Sequence, residues 1–208
     1  LETLYERQAG GNETRGMFWG GGSPATMYRK YNAAVNIAST GDSYDWGDLQ
    51  NPTGNQRVSI SSPTRSVIGN YQNDAGVRNV IEYVTIATTG NTSDFGDMSY
   101  NYKDGGGASN ATRGIWFGGG SPAVNIISYI TIASTGNALD FGDLDNLKAN
   151  GGACSSPTRA VYGGGLAPGN KNNIEYIEIP TTGNALDFGD LVAAGHNLQA
   201  FSNGHGGL

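Results

Sequence analysis

Thr135-Gly136-Asn137-Ala138-Leu139-Asp140-Phe141-Gly142-Asp143 is one of four copies of a single phrase in this chain. The others are Thr40-Gly41-Asp42-Ser43-Tyr44-Asp45-Trp46-Gly47-Asp48, Thr89-Gly90-Asn91-Thr92-Ser93-Asp94-Phe95-Gly96-Asp97 and Thr182-Gly183-Asn184-Ala185-Leu186-Asp187-Phe188-Gly189-Asp190. The aspartates before the aromatic, Asp45, Asp94, Asp140 and Asp187, follow one another at intervals of 49, 46 and 47 residues. A fixed period of this length signals a repeat architecture, each unit being one small supersecondary element.

Two further landmarks keep the same step. Thr-Arg recurs at Arg15, Arg65, Arg113 and Arg159, each followed by a short apolar run such as Gly114-Ile115-Trp116-Phe117 that usually ends in glycines. Between these and the aspartates lie Ile81-Glu82-Tyr83, Ile127-Ser128-Tyr129 and Ile174-Glu175-Tyr176. In the first repeat Ala33-Ala34-Val35 stands for this triplet, and in the second Gly69-Asn70 replaces the glycine run.

The run after Thr-Arg is apolar at both parities, as in a strand covered on both faces. The β-branched and aromatic segment after it is a second strand type, entering a Thr-Gly-Asn turn. Asp-aromatic-Gly-Asp is the outermost strand, with Trp46, Phe95, Phe141 or Phe188 as its core anchor, contributing roughly 1.5–3 kcal/mol on burial. Small residues such as Gly151-Gly152-Ala153-Cys154-Ser155 supply the innermost strand. Four strands per repeat make an all-β array, with repeats at 8–57, 58–105, 106–151 and 152–198 and a fifth begun at 199–208.

Composition agrees with short strands and many turns: 34 glycines and 37% hydrophobic residues in 208. The formal net charge of −6 offers no cationic footprint for nucleic acid. No apolar run approaches the ~20 residues that span a bilayer. A single cysteine, Cys154, leaves no internal disulfide framework and is expected as a small buried strand residue.

The succession of glycine-ended apolar strand, Ile-Glu-Tyr strand, Thr-Gly hairpin and single aromatic resembles the kelch repeat, with Phe replacing its Trp. The wording Ser-Pro-Thr-Arg, Thr-Gly-Asn-Ala and Asp-Phe-Gly-Asp-Leu is also similar to repeats in virion structural and tail-fibre proteins of marine and cyanobacterial phages. The resemblance implies a β-propeller-like array of kelch-type blades on a virion surface, without catalysis. It implies either host recognition, through a surface glycan or protein, or decoration and assembly contacts with other virion subunits. A kelch-type oxidase would need clustered Cys, Tyr and His ligands, and the only histidines, His196 and His205, lie late in the chain.

The repeated aspartates Asp94, Asp97, Asp140, Asp143, Asp187 and Asp190 suit turn-capping hydrogen bonds, with Ca²⁺ as the alternative. No other cofactor is implied. The repeated arginines, sharing parity with the buried strand positions, are expected to pair with a repeated Asp between sheets. Loops that differ in every copy, at 23–32, 70–79, 121–125 and 166–173, share one face with the connections between repeats, opposite the Thr-Gly-Asn hairpins. Candidate binding residues on that face are Tyr28, Arg29, Tyr31, Tyr71, Asn73, Asp74, Tyr100, Tyr102, Lys103 and Lys171, whose rings and polar groups suit stacking and hydrogen bonding to a glycan. The chain begins at Leu1, as a processed or excised segment would, and its ends, 2–17 and 193–208, occupy equivalent places in the repeat. A self-contained closed ring is therefore not expected; further repeats or several chains would complete it, and homo-oligomers are the corollary.

Overall fold

The computed structural model describes residues 8–21, 29–53, 58–69, 71–73, 76–101, 103–120 and 122–202. They form four antiparallel four-stranded sheets and no helix. Sheet one holds β1 (Gln8–Gly11), β2 (Arg15–Trp19), β3 (Arg29–Asn36) and β4 (Tyr44–Thr53). Sheet two holds β5 (Val58–Ser61), β6 (Arg65–Gly69), β9 (Val80–Thr85) and β10 (Ser93–Asp97). A small hairpin, β7 (Tyr71–Asn73) and β8 (Gly76–Arg78), is inserted after its second strand. Sheet three holds β11 (Gly106–Ser109), β12 (Arg113–Gly119), β13 (Val124–Thr131) and β14 (Leu139–Asp143), and sheet four β15 (Gly152–Ser155), β16 (Arg159–Gly163), β17 (Lys171–Glu178) and β18 (Leu186–Gly195).

Local chemistry sets each turn. Between first and second strands, Asn110 Oδ1 accepts from the backbone N–H groups of Thr112 (2.9 Å) and Arg113 (2.8 Å). Asn12 does the same in sheet one, and the hydroxyls of Ser62 and Ser156 replace it in sheets two and four. These side chains imitate a backbone acceptor and hold the tight turn that the Thr-Arg landmark closes. In the pairing of third and fourth strands, Trp46, Phe95, Phe141 and Phe188 each fall at a break in register and have no opposite residue. The repeated Asp-aromatic-Gly is thus a β-bulge that turns one ring out of the ladder.

Three apolar cores lie between consecutive sheets. Met17, Trp19 and Trp46 meet Ile68, Val84 and Ile86; Val67, Ile81 and Phe95 meet Trp116, Ile130 and Ile132; Ile115, Phe117 and Phe141 meet Tyr162, Ile177 and Ile179. The middle strands serve two cores at once, so Ile115, Trp116 and Phe117 are all fully buried despite alternating parity. The first strands lie beside one another, β1 against β5, β5 against β11 and β11 against β15. Glycines at set positions make room there for larger neighbours: a Cβ on Gly107 would stand 2.2 Å from Val58 of β5 and one on Gly106 2.5 Å from Tyr162.

The register also corrects the alignment of repeat one. Arg15 pairs with Asn36 as Arg65 pairs with Thr85, so Asn32-Ala33-Ala34, one residue earlier than expected, stands at the Ile-Glu-Tyr position. Ala34 leaves the space of a missing ring. Trp46, larger than the Phe of the other repeats, takes its place beneath the guanidinium of Arg15, 5.1 Å from the ring centre.

Candidate functional site

The repeated arginines form the joints between sheets. Arg65 Nη1 donates to the carbonyl of Ile132 (2.8 Å) and Arg113 Nη1 to that of Ile179 (2.7 Å), each in the following sheet. Arg15 reaches Ile86 in the same way. Each guanidinium also lies over an aromatic ring of its own sheet, Arg65 over Tyr83 (4.5 Å) and Arg113 over Tyr129 (4.8 Å). The expected Arg–Asp pairing is therefore overturned: the partner is a strand-end carbonyl. A planar donor fork can satisfy that carbonyl while stacking on a ring, which a pairing with the exposed aspartates would forgo. Arg159, with no further sheet after its own among the described residues, turns to Glu178 of sheet four, at 2.6 Å, with both side chains nearly half exposed.

The repeated hairpins close the same joints from the other side. Gly136 N donates to Phe95 O (2.7 Å), Ala138 N to Asp97 O (2.8 Å), and Asp97 N to Asn137 Oδ1 (3.0 Å). Equivalent triads join Gly90, Thr92 and Asn91 to sheet one, and Gly183, Ala185 and Asn184 to sheet three. Gly47, Gly96 and Gly142, with φ between +136° and +146°, give the hairpin room, since a Cβ there would lie 2.4–2.5 Å from the docked carbonyl. Phe188 departs from the expected core role: it is 54% exposed, whereas Phe141 is 3% exposed, because no hairpin covers sheet four among the described residues.

The aspartate side chains stay at the surface, Asp97 half buried and Asp94, Asp140, Asp143, Asp187 and Asp190 exposed. Asp45 caps its own bulge through Gly47 N (3.1 Å). Among the described residues no three His, Cys, Asp or Glu side chains come together, whereas Ca²⁺ takes 6–8 oxygens.

Two buried acids were not legible as special. Glu82, in β9, accepts from Gln50 N, Asn51 N and Thr92 Oγ1 (3.1, 3.1 and 2.6 Å), anchoring sheet two to the end of β4. Glu175, in β17, accepts from Asp145 N and pairs with fully buried Lys148 at 2.7 Å. Burial holds the Lys148 ammonium below its ordinary pKa, partly offset by Glu175, and burial raises Tyr162. The sequence signal available was an acid set between Ile and Tyr in a strand, Ile81-Glu82-Tyr83 and Ile174-Glu175-Tyr176.

The first strands surround a cavity of about 430 Å³, lined by Gln8, Val58, Gly106, Gly152 and the segment Leu198–Phe201. Deeper, serines link neighbours: Ser61 N to Ser109 Oγ (3.3 Å), Ser155 Oγ to Ser109 O (2.7 Å) and Ser155 N to Ser202 Oγ (3.1 Å). Residues 199–202 thereby lie beside β15, without forming a strand. Cys154 is half buried here, and burial pushes its thiol pKa up.

At the end where the loops differ, Tyr31 and Tyr100 are exposed. Arg29 is half buried opposite Thr53, Lys171 is half buried opposite Gly195, and Lys103 bridges to Gly120 and donates to Gln72 Oε1 (3.0 Å). The β7–β8 hairpin carries Tyr71 and Asn73, and Lys103 is brought against it. His196 Nδ1 lies 2.8 Å from Asn170 Oδ1. Tyr28, Asp74, Tyr102 and His205 lie outside the described residues. The hairpins Thr40–Asp42, Thr89–Asn91, Thr135–Asn137 and Thr182–Asn184 lie at the opposite end of the strands. Neither a protein-family model nor a curated protein matches the chain.

Proposed function

We propose that this chain is a non-enzymatic recognition module of a virion appendage, built as a propeller-like array of kelch-type repeats at 8–57, 58–105, 106–151 and 152–198. In this reading the loop-bearing end contacts a host surface component, a glycan being the best chemical match. The observation that carries it is the exposure of Tyr31 and Tyr100 at the end where every loop differs, while joints and hairpins repeat. A ring with a polar edge, held on a rigid strand end, offers a sugar both stacking and hydrogen bonding at low entropic cost. Arg29, Lys103 and Lys171 at the same end supply charge-assisted donors.

The test is a glycan array together with attachment to host cells. Tyr31→Ser with Tyr100→Ser should lower binding at least tenfold and leave the unfolding midpoint within about 2 °C, since neither ring is in a core. Binding unchanged by the double substitution overturns this assignment. A second reading, assembly with other virion subunits, is favoured by the uncovered face of sheet four; retention of virion proteins in a pull-down, with no glycan or cell binding, would select it.

A further inference from the structure

We infer that the outer face of sheet four is a docking face for sheet one of a second copy of this chain, arranged head to tail. The three internal joints define what such a face receives. Each takes a Thr-Gly-Asn type hairpin over the bulge aromatic and glycine, and a strand-end isoleucine whose carbonyl meets the arginine. Sheet four keeps every receiving residue: Arg159, Phe188, Gly189 at φ +137° with nothing within 4 Å of its would-be Cβ, and Asp190. Sheet one presents the matching set, equally uncovered. Ile37 is 59% exposed while its equivalents Ile86, Ile132 and Ile179 are at most 1% exposed.

Docking by the internal pattern would bring Arg159 to the carbonyl of Ile37, Gly41 N to Phe188 O, and Asp42 Oδ1 to Asp190 N. It differs from the internal joints in two respects. Asp42 stands where they have Asn91, Asn137 and Asn184, and so brings a carboxylate toward Asp187 and Asp190. The oxygen acceptor is retained but like charges face each other, so added salt strengthens the contact. The partner's β1 would also need the place held by residues 199–202, whose Gln199-Ala200 repeats Gln8-Ala9. That segment competes for the site and keeps the association reversible. A contact of two different faces is heterologous, so it closes into a ring or extends as a filament.

Sedimentation velocity of the full chain across micromolar to millimolar concentration tests this independently of any ligand at the loop end. The expected result is concentration-dependent association, weakened roughly tenfold or more by Ile37→Asp on one face and by Phe188→Asp on the other. Both residues are exposed, so circular dichroism and the unfolding midpoint should hold. Mixing the two variants, each with one intact face, should restore a 1:1 dimer and nothing larger, and Asp42→Asn should tighten self-association. A chain that stays monomeric throughout, association indifferent to both substitutions, or a mixture that forms no dimer overturns the inference.

Discussion

Sheets three and four contain the same ten residues in succession, Thr135 to Leu144 and Thr182 to Leu191, with identical wording. In sheet three the hairpin of sheet four lies across the bulge, Phe141 is buried with Tyr162 and Ile177, and Arg113 reaches a carbonyl beyond its own sheet. In sheet four the same phrase meets no hairpin among the described residues, and Arg159 settles on a neighbour of its own strand pair. The phrase therefore specifies a conformation, the bulge with its glycine, but not a burial. Burial is a property of the joint, and a joint needs two sheets.

The largest expected contrast is in the aromatic. Phe141→Ala should destabilise by ~3–5 kcal/mol, losing transfer energy and leaving a cavity, whereas Phe188→Ala should lose about 1 kcal/mol or less. Urea unfolding of both variants measures this, and equal losses would break the comparison. The arginines come next. Both guanidiniums stack on a tyrosine, Arg113 on Tyr129 at 4.8 Å and Arg159 on Tyr176 at 4.4 Å; Arg113→Ala also strands a carbonyl, for about 2 kcal/mol in all, while Arg159→Ala loses instead an exposed ion pair and should cost about 1 kcal/mol or less.

The smallest effect is set by pH. Tyr162 stacks on Phe117 at 5.4 Å in the joint, and its folded pKa is raised by burial above the usual value near 10. A raised folded value means its contribution is complete below pH 10 and is lost as pH climbs further, by about 1 kcal/mol between pH 10 and 11. Lys148, lowered by burial, acts in the opposite sense as pH rises toward its ordinary value, and does so in both proteins compared. Unfolding titrations of wild type and Tyr162→Phe should therefore diverge only above pH 10.

Period and parity made much of the fold legible. Apolar residues at both parities around Trp116 announced a strand between two cores, and loops of unequal length marked one end as the variable one. What could not be read was the partner of each arginine, because a backbone carbonyl leaves no mark in the residue code. The exposure of Phe188 was hidden for a related reason, since its wording is that of buried Phe141. The buried Lys148–Glu175 pair could not be read because Lys148 has no counterpart in the other repeats, although Glu175 recurs as Glu82. In repeat one, a match of small residues alone placed Ala33-Ala34-Val35 one position too late; only the ladder from Arg15 to Asn36 fixes it.

The β7–β8 hairpin sits between the second and third strands of sheet two, yet the joints of that sheet keep the hydrogen bonds found elsewhere: Arg65 to Ile132, Gly90 to Trp46, Gly136 to Phe95. Length added at that end leaves the scaffold untouched. Such a chain can diversify by insertion where it varies already, each new loop being tried by selection without renegotiating the stability of the whole.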